Sequence, residues 1–242
     1  MKSNQKNLLS LSSILFFAAL AMLSSCRKDP EEVIELITSS EAAEIIEDAV
    51  ANRTAGFTAP TVDAAAILDA YLNSCGVPGD TAFNKVKTSG VATYDYTFGM
   101  DWLVTCSSLN VPQSANIGIA GTGDFTSPHW QGTEATIGEL TFTGLSPQEV
   151  SYVVNGSYDL TGNLTGSLRK VSPSFNCLIA LDLTNLALDK STYKITGGSG
   201  VATVTASTAN GQTKTLTGTL VFNGNGTATV TVNGHEHTFQ WQ

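Results

Sequence analysis

Apolar and polar residues alternate with a period of two through most of the C-terminal part of the chain. Ala228, Val230 and Val232 are interleaved with Thr227, Thr229 and Thr231. Leu216, Gly218, Leu220 and Phe222 are interleaved with Thr215, Thr217, Thr219 and Val221, and Tyr94, Tyr96 and Phe98 share one side of a third such run. This period predicts half-buried antiparallel strands. Asn155-Gly156, Asn223-Gly224, Asn225-Gly226 and Asn233-Gly234 tolerate the positive φ of a tight hairpin and are read as turns, as is Gly197-Gly198-Ser199-Gly200. The strand-rich region, 85–242, is long enough to bury a sizeable core.

A different period governs the segment before it. Ala42, Ile45, Ile46, Ala49 and Val50 fall at helical spacing and form one apolar stripe, with Ser40 as the expected N-cap and Glu41 in the first turn. A second short helix is expected over 62–71, after Pro60, with Gly56 and Pro60 separating the two. Residues 41–84 thus form a helical segment and linker.

The strand region matches itself in chain order. Gly138-Glu139-Leu140-Thr141-Phe142-Thr143-Gly144 aligns with Gly218-Thr219-Leu220-Val221-Phe222-Asn223-Gly224, and Val154-Asn155-Gly156 with Val232-Asn233-Gly234. Leu109-Asn110-Val111 aligns with Leu186-Ala187-Leu188, and Gly121 and Gly123 with Gly198 and Gly200. The expected fold is therefore mainly β: an antiparallel sandwich or barrel built from two similar halves, 87–164 and 165–242, preceded by the helical segment. Stacking or closing a sheet hides edges that would otherwise aggregate.

At the other end, Lys2 and Lys6 precede an apolar run that stops at Leu23-Ser24-Ser25-Cys26 and gives way to Arg27-Lys28-Asp29-Pro30-Glu31-Glu32. The strongly apolar part, 14–23, is half the roughly twenty residues a membrane-spanning helix needs. A positive start, a short apolar stretch and small residues before a cysteine are the marks of a secretory signal. Leu23 to Cys26 resembles the lipobox of bacterial lipoproteins, which implies cleavage after residue 25 and acyl chains on Cys26. Each buried acyl methylene contributes about 0.8 kcal/mol, so the protein can be held at a membrane with no apolar sequence of its own. Residues 26–40 then form an acidic tether. Arg27 after the cysteine favours the outer membrane, and the acidic run resembles the signal that sends lipoproteins to the cell surface in the Bacteroidetes.

Loss of the leader removes two lysines and leaves ten basic residues against 21 acidic ones. That balance excludes nucleic acid, which demands a basic footprint, and docking on anionic lipid head groups. The imbalance sits near the tether: residues 31–48 hold seven acids and no base.

Cys75, Cys106 and Cys177 remain after the anchor. An oxidising compartment favours one disulfide and one leftover thiol. Cys75 stands where the helical segment meets the strands, Cys106 follows the first strongly alternating run, and Cys177 lies inside an apolar run, so Cys75–Cys106 is the favoured pair. No CxxC spacing supports a structural zinc site. The runs Asn73-Ser74-Cys75-Gly76, Tyr94-Asp95-Tyr96-Thr97 leading to Trp102 and Cys106, Asn110-Val111-Pro112-Gln113-Ser114 and Asp189-Lys190-Ser191-Thr192-Tyr193 resemble surface or secreted lipoproteins of the Bacteroidetes. The resemblance extends to the hairpin 218–241 and reinforces the Cys75–Cys106 pairing, but carries no catalytic motif. Asp80-Thr81-Ala82 also resembles the O-glycosylation acceptor of that phylum, at Thr81.

Little in the chain points to catalysis. His235 and His237 are two apart in an expected strand and could hold a metal, but Phe239 and Trp241 continue their face, so packing explains them better. His129, in Pro128-His129-Trp130, is expected at a loop tip. There is no GxSxG and no evident serine triad. Asp95, Asp101, Asp124 and Glu139 are the acids from which a glycosidase-type pair could form. The aromatic residues Tyr94, Tyr96, Trp102 and Trp130 form a candidate platform for a sugar or peptide, the alternative being that Tyr94, Tyr96 and Phe98 are the core side of their strand. The expected function is a non-catalytic, membrane-anchored module that needs no cofactor and binds a glycan or protein at the envelope. The alternatives are an envelope hydrolase or a subunit of a surface assembly.

Overall fold

A computed structural model describes residues 36–90, 92–166 and 174–242. The expected leader, the lipidation of Cys26 and most of the tether lie outside the described residues. Residues 36 to 242 fall in one compact unit. Its elements are α1 (Ser39–Val50), a 3₁₀ turn (Asn52–Thr54), α2 (Thr58–Tyr71) and ten strands. The strands are β1 (Pro78–Ser89), β2 (Ala92–Cys106), β3 (Pro112–Thr126), β4 (Trp130–Thr143), β5 (Ser151–Gly166), β6 (Ser174–Asp189), β7 (Ile195–Ser207), β8 (Thr213–Gly224), β9 (Thr227–Val232) and β10 (His235–Gln240).

The fold is mainly β, as the alternation predicts, but its strands form one sheet. Each strand pairs antiparallel with its neighbour in the chain, in the order β1 to β10. A sandwich would divide the strands between two sheets, and a barrel would pair β1 with β10. Neither occurs among the described residues. The matched segments read as repeats fall four strands apart, β3 against β7 and β4 against β8.

Alternation gives the sheet one buried and one exposed face; along β2 the pattern is strictly alternating from Ala92 to Phe98. Helices cover the buried face. α1 packs on β7 to β10, α2 on β2 and β3, and the 3₁₀ turn on β1 and β2. The helical segment therefore reaches both edge strands. Asn52 N–H donates to the Trp241 carbonyl at 2.7 Å, and Arg53 Nη1 donates to the Gln240 carbonyl at 3.1 Å. Covering an edge in this way removes a template for aggregation.

Several local expectations need correction. Thr38, not Ser40, caps α1: its hydroxyl accepts from Glu41 N–H at 3.2 Å while Glu41 Oε2 accepts from Thr38 N–H at 2.8 Å, a reciprocal capping box. α2 begins at Thr58, with Pro60 in its first turn, where a missing N–H breaks no helical bond. The sheet begins at Pro78 rather than residue 85, because the first residue of an edge strand tolerates proline. Asn225-Gly226 and Asn233-Gly234 do make positive-φ turns. Asn155-Gly156 instead lies within β5, at a register shift between Val154 and Gly156, and Gly198 lies within β7 where β6 and β7 slip register. Both glycine-containing runs are bulges, which extend a strand with the same backbone freedom a turn requires.

Several aromatic residues of the buried face stand directly opposite glycines, among them Trp102 and Gly79, Phe98 and Gly121, Tyr96 and Gly123, Tyr158 and Gly138, and Trp130 and Gly166. A Cβ at any of these glycines would come within 2.8 Å of the facing ring. The rings lie across their neighbours' backbones, so these glycines are packing sites.

Candidate functional site

The expected aromatic platform belongs to the core. Tyr94, Tyr96, Trp102 and Trp130 are each no more than 6% exposed. Tyr96 stacks on Phe98 with ring centroids 5.5 Å apart, Trp102 packs on Tyr71 of α2 at 4.8 Å, and Trp130 meets Phe175 edge-on at 5.7 Å. Alternation correctly puts Tyr94, Tyr96 and Phe98 on one face, but that face is the one the helices cover, so these rings cannot stack on a ligand from solvent.

The candidate acids for glycosidase chemistry point outward and separate into two pairs. Asp95 faces Asp124 across β2 and β3, while Asp101 and Glu139 flank Gly118. Six residues of strand divide Asp95 from Asp101, about 20 Å. His237 Nε2 meets Glu47 Oε2 of α1 at 2.5 Å, and His235 is exposed at the start of β10. Thr81 lies half-buried in β1, opposite Met100. His129 sits in the turn between β3 and β4. The cysteines pair as expected: Cys75 and Cys106 are bonded, with Cα atoms 5.5 Å apart, and Cys177 is buried and free. Burial pushes the Cys177 thiol up to about 12.

The most perturbed chemistry lies elsewhere, between α1 and the sheet. Asp48 of α1 and Glu134 of β4 are both under 9% exposed. They line a sealed gap with Ile45, Phe125, Trp130, Leu164 and Ile179, too small to admit a water molecule. The Ser127 hydroxyl donates to Asp48 Oδ2 at 2.6 Å, and Arg53 Nη2 stands 3.5 Å from Asp48 Oδ1. The Tyr96 hydroxyl donates to Glu134 Oε2 at 2.7 Å. Burial raises the Asp48 carboxyl to about 7, against the pull of Ser127 and Arg53. Burial likewise raises Glu134 to about 7, opposed by the Tyr96 hydrogen bond. Burial, then the neighbouring Glu134 carboxylate, hold the Tyr96 phenol protonated far above its ordinary range.

Trp130 and Ser127 separate this gap from an open cleft of about 160 Å³ lined by Thr126, His129, Gln131, Thr165 and Gly166. The indole Nε1 of Trp130 is buried without a hydrogen-bond partner. The two acids were not singled out by sequence reasoning. Glu134 was legible in principle, because it shares the parity of the buried Leu140 and Phe142 along β4. Asp48 was also within reach, since it adjoins Ala49 and Val50 of the apolar stripe.

The outer face has a distinct chemistry. One register row crosses all ten strands and carries Asp80, Asp101, Glu139, Asp182 and Glu236, all exposed. Threonine ladders lie beside it, with Thr203 and Thr217 hydroxyls 3.3 Å apart and Thr205 and Thr215 3.1 Å apart. The strand lysines Lys85, Lys87 and Lys214 stand opposite Tyr96, Tyr94 and Ala206, on the other face. Among the described residues, the outward strand positions therefore carry no lysine or arginine.

No helix among the described residues is long and apolar enough to cross a membrane. No protein-family model matches the chain, and no curated protein or solved structure does either.

Proposed function

We propose that this chain is an outer-membrane lipoprotein of the Bacteroidetes type, anchored through acyl chains on Cys26, with a non-catalytic binding domain at the cell surface. The observation that carries the binding reading is the outward sheet face, where hydroxyls, amides and carboxylates stand in register without a cation. Such a face offers many hydrogen bonds and repels anionic polymers, so its ligand is a neutral glycan or a basic protein segment. The Cys75–Cys106 bond supports an extracytoplasmic setting. The sealing of Asp48 and Glu134 supports a non-catalytic role, because a substrate cannot reach them with α1 seated. Binding of the intact protein to a glycan array and to basic peptides tests this. Asp101→Asn/Glu139→Gln/Asp182→Asn should weaken a basic ligand at least tenfold, and a ligand insensitive to those changes would place the site elsewhere. Mass spectrometry of the processed amino terminus tests the anchor, and protease treatment of whole cells tests its sidedness.

A second reading, a subunit of a surface assembly, draws on β1. This twelve-residue edge strand pairs only with β2 among the described residues, and Val86 is 72% exposed on it. Lys85 and Lys87 on the same strand are the kind of charge that discourages edge pairing, which favours the first reading.

A further inference from the structure

The gap beneath α1 brings two carboxyl groups together from opposite sides of a helix–sheet interface. Asp48 enters from the helix. It faces the Ser127 hydroxyl from the β3–β4 turn and the Arg53 guanidinium from the 3₁₀ turn, with Glu47 alongside on its own helix. Glu134 enters from β4 and faces Tyr96 of β2, with Tyr158 of β5 and the Cys177 thiol of β6 nearby. From β10, His237 meets Glu47. The cation in contact with Asp48 is Arg53, and Glu47 shares it. Two negative charges in a gap without water, with one shared cation on one side, leave the second charge uncompensated.

We propose that seating of α1 on the sheet is proton-controlled: a proton on at least one of Asp48 and Glu134 stabilises the docked helix. Loss of the last proton raises the population of a state in which α1 lifts and water enters the gap. Ile45, Ile46 and Val50 stay favourable in the docked state, so the lifted state remains the minor one. Lifting also breaks the contacts that tie the segment to β10, including the Glu47–His237 pair. The device therefore couples proton loss to exposure of an edge strand and, under the anchor proposal above, to a longer reach from the membrane.

Amide exchange of the full chain at pH 5.5 and 8.5, corrected for the intrinsic base-catalysed rate, tests this. Protection of residues 39–50 should fall at least about tenfold at the higher pH relative to β5 and β6, the equivalent of one pKa unit. The fall should vanish in Asp48→Asn/Glu134→Gln, which keeps acceptors for Ser127 and Tyr96. Should that variant not fold, carboxyl titration of the unaltered protein by carbon NMR replaces it, and the last proton should leave above pH 6. Constant protection in the unaltered chain, an equal fall in the variant, or both carboxyls ionised by pH 5 with α1 still seated would each overturn the proposal.

Discussion

The Tyr96 hydroxyl donates to the Glu134 carboxylate at 2.7 Å, and both groups lie inside the layer between β2, β4 and the helices. The bond spans two strands and gives the acid its hydrogen-bonded donor. Tyr96→Phe removes that donor and leaves a buried acceptor, at a cost of about 1–3 kcal/mol. The loss should be larger at pH 8 than at pH 5, because the ionised carboxylate depends on the donor more than the neutral acid does. Denaturant unfolding at the two pH values measures the difference.

The glycines opposite aromatic rings should tolerate nothing larger. A Cβ at Gly123 would stand 2.4 Å from Tyr96 Cγ and 2.3 Å from the Asp95 carbonyl oxygen, which is backbone and cannot swing aside. Gly123→Ala should therefore cost about 1–3 kcal/mol through forced displacement of the strand. Gly197→Ala is the control, since nothing lies within 4 Å of its Cβ position. It should fall within about 0.5 kcal/mol of the unaltered protein. Equal losses at the two positions would show that ring contact is not the cause.

These two sites also mark what could be read from the chain alone. The alternation of Tyr94, Tyr96 and Phe98 identifies a strand and assigns the rings to one face. It cannot say which face is covered, because the cover comes from helices some thirty residues upstream. The aromatic platform fails for that reason. The turns at 225–226 and 233–234 were legible because Asn-Gly accepts positive φ, whereas Asn155-Gly156 satisfies the same local preference as a bulge within a long strand. Asp48 and Glu134 escaped notice because acidic residues are ordinarily solvated, and only the meeting of α1 with β4 makes these two buried.

The cysteine chemistry yields a third expectation. The Cys75–Cys106 bond closes a 31-residue interval and ties the end of the helical segment to β2. Replacing both cysteines by serine should lower stability by about 3–4 kcal/mol on the chain-entropy estimate. Cys177 is 4% exposed and its thiol is pushed up to about 12, so very little thiolate forms near neutrality. A thiol reagent should find no reactive group in the native described domain and one equivalent after denaturation. Rapid native labelling at Cys177 would contradict the burial.

The buried acids fix how stability varies with pH. The Glu134 carboxyl is raised from 4.5 to about 7 and the Asp48 carboxyl from 3.8 to about 7, both first by burial. Between these limits the folded chain keeps protons that the unfolded chain has released. Their stabilising contribution is therefore complete below about pH 4, declines as pH rises and is gone above about pH 7. For Glu134 alone the decline is on the order of 3 kcal/mol. Glu134→Gln removes one of the two titrations, so its stability curve between pH 4 and 7 should be flatter by about that amount. The mutant curve should cross the unaltered one and lie above it on the alkaline side, where the unaltered protein carries an ionised carboxylate inside the gap. Chemical denaturation at half-unit pH intervals resolves the two slopes, and parallel curves would mean that Glu134 titrates alike in the folded and unfolded chains.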